Sequence, residues 1–137
     1  MDEPLNLVLF SGTDDKLQAA AVLTAGAAAL GRPVHLFLQY WALDAFRADR
    51  IDRDHGLAPE AGETGRAAVD SLRAHGQASW VETLRQAKDL GGVDIQACSL
   101  SMDLLQLQSS DLDALVDGVE GVTSFFLEAS EGQVVFI

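Results

Sequence analysis

The chain has 137 residues, 48% hydrophobic and 22% charged, with a formal net charge of −12. That size and composition suit one globular domain over residues 1–137 with a core of its own, and not a disordered chain. The acidic balance argues against nucleic acid and anionic membrane as partners, and a single cysteine excludes an internal disulfide and a thiolate cluster for zinc or iron–sulfur.

The opening MDEPLN has neither a basic n-region nor an apolar h-region, so no signal peptide is expected. LNLVLFS (5–11) is apolar, partly β-branched and stops at Ser-Gly, the pattern of a buried strand. Asp14 and Asp15 then suit the positive end of a helix. That helix runs through an Ala-rich stretch to a stop at Gly31. Its apolar run, residues 17–30, lies between Lys16 and Arg32. At about 1.5 Å per residue it falls short of the ~30 Å hydrocarbon layer. No stable membrane insertion is expected, and a cytoplasmic location is the default. Apolar nearly all round, this helix belongs in the core or at an oligomer interface.

Arg32-Pro33 restarts the chain, and VHLFLQ (34–39) reads as a second buried strand. YWALDAFRA follows as a short helix or turn carrying Tyr40, Trp41 and Phe46. Residues 48–62 are polar with Gly and Pro and read as an exposed loop, and residues 63–75 as a helix. SWVETLRQAKDLG (79–91) predicts a helix with Ser79 as N-cap, Glu82 three residues on and Gly91 closing it. VDIQAC (93–98) predicts a strand, with a short helix from Ser99. SSDLDALVDGV (109–119) predicts another helix, with Leu112, Leu115 and Val116 on one face. GVTSFFLEAS (121–130) reads both ways: its β-branched start favours strand and its end favours helix. GQVVFI (132–137) predicts a final strand. Buried strands alternating with helices mean an α/β domain with a mostly parallel sheet of about five strands, covered on both faces. In such sheets, sites form beyond the carboxyl ends of the strands.

Two candidate positions fall there: Ser11-Gly12 after the first strand and Cys98 after the third. A thiol placed just before a helix faces unpaired N–H groups carrying about +0.5 charge, which stabilise a thiolate without a basic residue. Ser99 and Ser101 add hydroxyls. No Lys or Arg follows Lys88, so any positive charge must come from elsewhere, such as Lys16. The competing reading is a packed, inert thiol, because free cysteine is among the most buried residue types. SGTDDK (11–16) matches a phosphate loop only loosely, with one Gly and no Walker spacing. It reads as a strand-to-helix turn lining the crevice. His35, His55 and His75 lack the HExxH spacing. Each reads as a satisfied or exposed side chain, so no metal and no cofactor are expected. Tyr40, Trp41 and Met102 read as core or as pocket wall.

Four segments together resemble the DsrE/DsrF-like sulfur-relay family: SGTDDK, AALGRPVHLFLQYWAL, ACSLSMDLL, and GVEGVTSFFLEA before a short apolar C-terminal strand. The resemblance covers residues 5–47 and 79–137, and the cysteine segment is its most specific part. It implies a three-layer α/β/α sandwich that assembles as a homo-oligomer, trimer or hexamer. It also implies a persulfide held on Cys98 and relayed between sulfur donors and acceptors, which are proteins or small thiols. Ser11, Gly12, Asp15, Lys16, Trp41, Ser99, Ser101 and Met102 are the expected surroundings of that thiol. The chain departs from the family pattern at Ala42, at Leu105-Gln106 and in the short charged segment 48–78. Two rival readings stand beside the carrier. One is a non-catalytic oligomeric binding module. The other is a thiol redox sensor, which without a resolving cysteine forms only intermolecular disulfides.

Overall fold

The computed structural model describes residues 3–137. Five strands form one sheet: β1 (Leu5–Leu9), β2 (Val34–Leu38), β3 (Val93–Cys98), β4 (Gly118–Glu120) and β5 (Gln133–Phe136). Their order is β4-β3-β2-β1-β5, and all four neighbouring pairs are parallel. The helices are α1 (Asp14–Ala29), α2 (Tyr40–Ala45), α3 (Gly62–Ala74), α4 (Trp80–Leu90), α5 (Ser99–Leu104) and α6 (Val122–Glu128).

Strand order decides where the helices lie. From β1 to β4 the chain always steps towards the same edge, and right-handed crossovers then put the connecting helices on one face. From β4 to β5 it returns across the sheet, so α6 covers the opposite face. Strand side chains alternate between the two faces. Leu5, Leu7, Leu9, Val34, Leu36, Leu38, Ile95 and Ala97 point into the main core with α1 and α4. Val8, Phe37 and Cys98 point the other way and meet Phe125 and Ala129 of α6. The second layer is therefore thin, a single helix of seven residues.

The Ala-rich sequence of α1 has a packing reason. Ala20, Ala21, Ala27 and Ala28 are buried, and small side chains let the helix lie close to the sheet and to α4. Gly31 ends it in the left-handed region, φ 75°, where glycine pays no Cβ penalty. In α4 the Ser79 hydroxyl accepts the Glu82 N–H at 3.2 Å, the expected cap.

One expected element is corrected. Residues 109–119 are not a helix. They make a 3₁₀ turn at Ser109–Asp111, an irregular stretch, and then β4. The aspartates explain this, because their carboxylates bind nearby backbone and offer an alternative to helix bonds. Asp111 accepts the Gln108 N–H at 2.8 Å and Asp113 accepts the Leu115 N–H at 2.9 Å. Asp117 accepts the Ile95 N–H at 2.8 Å, which aligns the segment with β3. The ambiguous residues 121–130 resolve as helix α6, capped by Gly121.

The turns after β1 and β2 are locked together. Ala42 N–H donates to the Phe10 carbonyl at 3.0 Å. Gly12 lies so close to Trp41 that a β-carbon would collide with the Trp41 carbonyl oxygen. Gly12→Ala is expected to cost about 1–3 kcal/mol through overpacking. It should appear as a lower urea midpoint with an unchanged slope; an unmoved midpoint would contradict this contact.

Candidate functional site

Cys98 closes β3 and is the N-cap residue of α5, with φ −70° and ψ 121°. After β3 the chain turns into α5, whose Met102 is buried in the main core. After the adjacent β4 it turns into α6 on the other face. The two connections part from each other, and at such a switch point open parallel sheets form their ligand crevice. A recess of about 420 Å³ opens there, lined by Cys98, Ser99, Gln39, Tyr40, Gly121 and the first turn of α6. Cys98 itself is only 3% exposed and sits against Phe37 and Phe125, whose rings stack at 4.8 Å. The thiol is thus at the floor of the recess, nearly all of it covered and set against an apolar cluster.

Of the expected companions, Ser99 lines the recess. Ser101 does not: it is fully buried, and its Oγ accepts the Tyr40 N–H at 3.0 Å. Tyr40 has φ 44°, an uncommon left-handed backbone for a tyrosine. Ser101 therefore holds the rim of the recess by fixing Tyr40 and does not line the recess itself. Met102 packs on the opposite face of the sheet. Trp41 is 57% exposed, edge-on to Tyr40 at 6.0 Å, and lies outside the recess. Tyr40 takes the wall position in its place. Ser11 N–H donates to the Ile137 carbonyl at 3.3 Å, and Gly12 abuts Trp41, so both shape the neighbouring turn. Lys16 lies on α1 and lines no part of the recess.

Asp15 lines a different, larger cavity of about 540 Å³ between the 51–54 loop, α3 and the start of α4. Burial disfavours its charge, but the neighbouring Thr13 hydroxyl and the Ala58 N–H, which donates to it at 3.2 Å, outweigh that and hold its carboxyl below the usual range. Its neighbour Asp14 is a buried anchor. It accepts the Trp80 indole N–H at 2.9 Å and the His55 N–H at 3.0 Å, tying α1 to α4 and to the loop.

A second group of polar side chains was not anticipated. On the α6 face, His35 Nε2 lies 2.6 Å from Glu120 Oε1 and 3.7 Å from Asp94 Oδ2, and its Nδ1 lies 3.7 Å from Glu128 Oε2. Burial pushes the Glu120 carboxyl up. Attraction to His35 works against that, and the like charges of Glu128 and Asp94 add to it. A carboxyl raised in the folded state contributes stability that is complete below its ordinary value of 4.5 and is lost as pH climbs through the raised value. Wild-type stability should therefore fall with pH above 4.5 more steeply than that of Glu120→Gln, in urea melts taken across pH. Parallel curves would contradict this.

Fold and site define an α/β protein with a parallel sheet and a lone cysteine at the crevice between two diverging strand ends. The chain belongs to the DsrE/DsrF/DrsH-like family, whose pattern matches residues 1–63 and 58–137. It is similar to the uncharacterized protein YrkE of Bacillus subtilis (strain 168), 28% identical over 149 residues that cover 93% of this chain and 92% of that protein. Its fold is similar to that of the ychN protein from E. coli, with a TM-score of 0.60, 14% identity and full coverage of both chains. It is also similar to the protein of unknown function MTH1491 from Methanobacterium thermoautotrophicum, with a TM-score of 0.53, 14% identity, and coverage of 99% of this chain and 100% of that one. Family membership points to sulfur relay in general. Among the described residues no helix is long and apolar enough to cross a membrane.

Proposed function

We propose that this protein is a sulfur carrier of the sulfurtransferase kind, with Cys98 holding the transferred sulfur as a persulfide. The observation that carries the proposal is the position of the thiol: the only cysteine of the chain lies at the crevice between β3 and β4, in a recess with one polar and one apolar side. First-turn amides of α5 and the hydroxyls of Ser99, Thr123 and Ser124 offer hydrogen bonds to an anionic sulfur. Phe37 and Phe125 shelter it from water and oxidants.

The chemistry balances without a cofactor or a net redox change. The Cys98 thiolate attacks the outer sulfur of a donor persulfide, R–S–SH. A new S–S bond forms on Cys98, and the donor leaves as the thiolate R–S⁻. An acceptor thiolate, A–S⁻, then attacks the outer sulfur. It departs as A–S–SH and Cys98 returns to the thiolate. With a net charge of −12, the chain favours donor and acceptor proteins with basic docking faces over free dianions. The cytoplasm, where a lone thiol stays reduced, is the matching compartment.

Assembly of like chains belongs to the same proposal. Phe136, Phe10, Tyr40 and Trp41 form a row of aromatic rings 5.0–6.0 Å apart across the carboxyl edge of the sheet. Phe126 and Leu127 project from α6 at 61% and 73% exposure. A surface this apolar suits a homo-oligomer, trimeric or hexameric. The near-complete burial of Cys98 also favours a second reading, an assembly module in which the thiol is packing. Single-turnover transfer separates the two: protein loaded with sulfane sulfur must hand it to a small acceptor thiol, and a module would neither load nor transfer.

A further inference from the structure

We propose that His35, Asp94 and Glu128 form a binding site for a divalent first-row transition cation, with Glu120 orienting the imidazole. The site draws on four elements. His35 comes from β2, Asp94 from its register partner on β3, Glu120 from the end of β4 and Glu128 from the last turn of α6. One donor atom each from His35, Asp94 and Glu128 lie within 4.8 Å of one another.

The electrostatics favour a cation. Three carboxylates surround one imidazole, and no Lys or Arg pairs with any of them among the described residues. Even a fully protonated ring leaves the group with an excess of negative charge. The polar accounting points the same way. The His35 and Glu120 side chains are nine-tenths buried, and Nε2 and Oε1 meet at 2.6 Å. That contact occupies Nε2 and leaves Nδ1 of a nine-tenths-buried ring facing Glu128 Oε2 at 3.7 Å, beyond hydrogen-bond reach, with no hydrogen-bond partner among the described residues. A nitrogen of a buried ring in that condition calls for a ligand or an ion. A dication would neutralise the carboxylates and engage the ring at once.

The donor set selects the cation class. One imidazole nitrogen with carboxylate oxygens suits Mn²⁺, Fe²⁺ or Zn²⁺; Mg²⁺ and Ca²⁺ prefer oxygen alone. Such ions bind nitrogen and oxygen at about 2.0–2.2 Å, which sets neighbouring donor atoms about 3.0–3.6 Å apart, so Glu128 Oε2, 3.7 Å from Nδ1, needs only a small inward shift. Asp94, 3.7 Å from Nε2 and bonded through Oδ1 to the Gln96 amide, has to turn its other oxygen towards Nδ1; the Asp94 and Glu128 side chains are 47% and 60% exposed and have room to move. The remaining ring nitrogen would be held by Glu120, the carboxylate–histidine–metal arrangement that fixes a ligand ring. Because Glu128 ends α6 and Val122, Thr123 and Ser124 begin it, a bound cation would pin to the sheet the same helix that walls the Cys98 recess.

The test uses the full chain carrying Cys98→Ser, so that the thiol cannot contribute, titrated with Mn²⁺ and Zn²⁺ in a calorimeter and by NMR. One equivalent per chain is expected, with Mn²⁺ broadening the ring signals of His35 before those of His55 and His75. Asp94→Asn and Glu128→Gln, both at partly exposed positions that the fold tolerates, should each weaken binding by about tenfold or more. Excess Mg²⁺ should not compete. Three results would overturn the site: no saturable binding, affinity unchanged in both variants, or broadening centred on His55 or His75.

Discussion

Cys98→Ser should take up no sulfur from a sulfane donor and pass none to an acceptor thiol, while the fold survives. Serine has nearly the shape of cysteine, but its oxygen is a far weaker nucleophile at neutral pH and cannot form the S–S bond. The chain has no second cysteine to substitute for it. Serine also puts a hydroxyl against Phe37 and Phe125. Burying it unpaired costs about 1–3 kcal/mol, so Cys98→Ala is the companion variant that keeps the position apolar. Both variants should show native circular dichroism and no transferable sulfur. If Cys98→Ala still relays sulfur, the carrier is not Cys98.

Phe125→Ala should have the largest effect on stability together with a change in the thiol. Phe125 is 1% exposed, stacks on Phe37 with an interplanar angle of 15° and lies 5.3 Å from the His35 ring. Truncating a fully buried phenylalanine costs about 3–5 kcal/mol, from lost transfer energy and the cavity left behind. Here the cavity opens beside Cys98, because the same ring covers the thiol. Urea midpoints should drop sharply, and labelling of Cys98 by a neutral alkylating reagent should accelerate under native conditions. Phe126→Ala is the control. Phe126 is 61% exposed, so its loss should change both measurements little in the isolated chain. Equal labelling of all three proteins would mean that α6 does not guard the thiol.

How much of this was legible in the sequence follows from what each element depends on. β1 and β2 are buried on both faces and read as near-continuous apolar runs, while β3 alternates, with Asp94 and Gln96 half-buried between apolar positions. Helix α4 announced itself through its cap and its closing glycine. Segment 109–119 misled because the spacing of Leu112, Leu115 and Val116 suits a helix, whereas its fate is set by aspartates bonding to local backbone and to β3. Asp14 looked like a helix-start charge, but its burial comes from Trp80, sixty-six residues away.

The site divides in the same way. Cys98 at the junction of β3 and α5 was legible, because strand end and helix start are local features. Ser99, adjacent in the chain, and Tyr40, read as core or pocket wall, were legible too; the other neighbours were not, because they depend on which face each element covers. Met102 falls on the far side, and Tyr40 rather than Trp41 turns to the recess. The His35 cluster depends on register between β2 and β3 and on the return of α6, so no spacing in the chain reveals it. The one local hint was a charged side chain, Asp94, on the same strand face as Cys98 within a largely apolar run.

The most direct measurement of the central claim is the intact mass of the wild-type chain after incubation with a sulfane-sulfur donor and removal of the excess. A carrier gains one sulfur atom, located on Cys98 by fragmentation and lost on addition of a reducing thiol. An unchanged mass, under conditions where Cys98 is reduced and the protein folded, would contradict it.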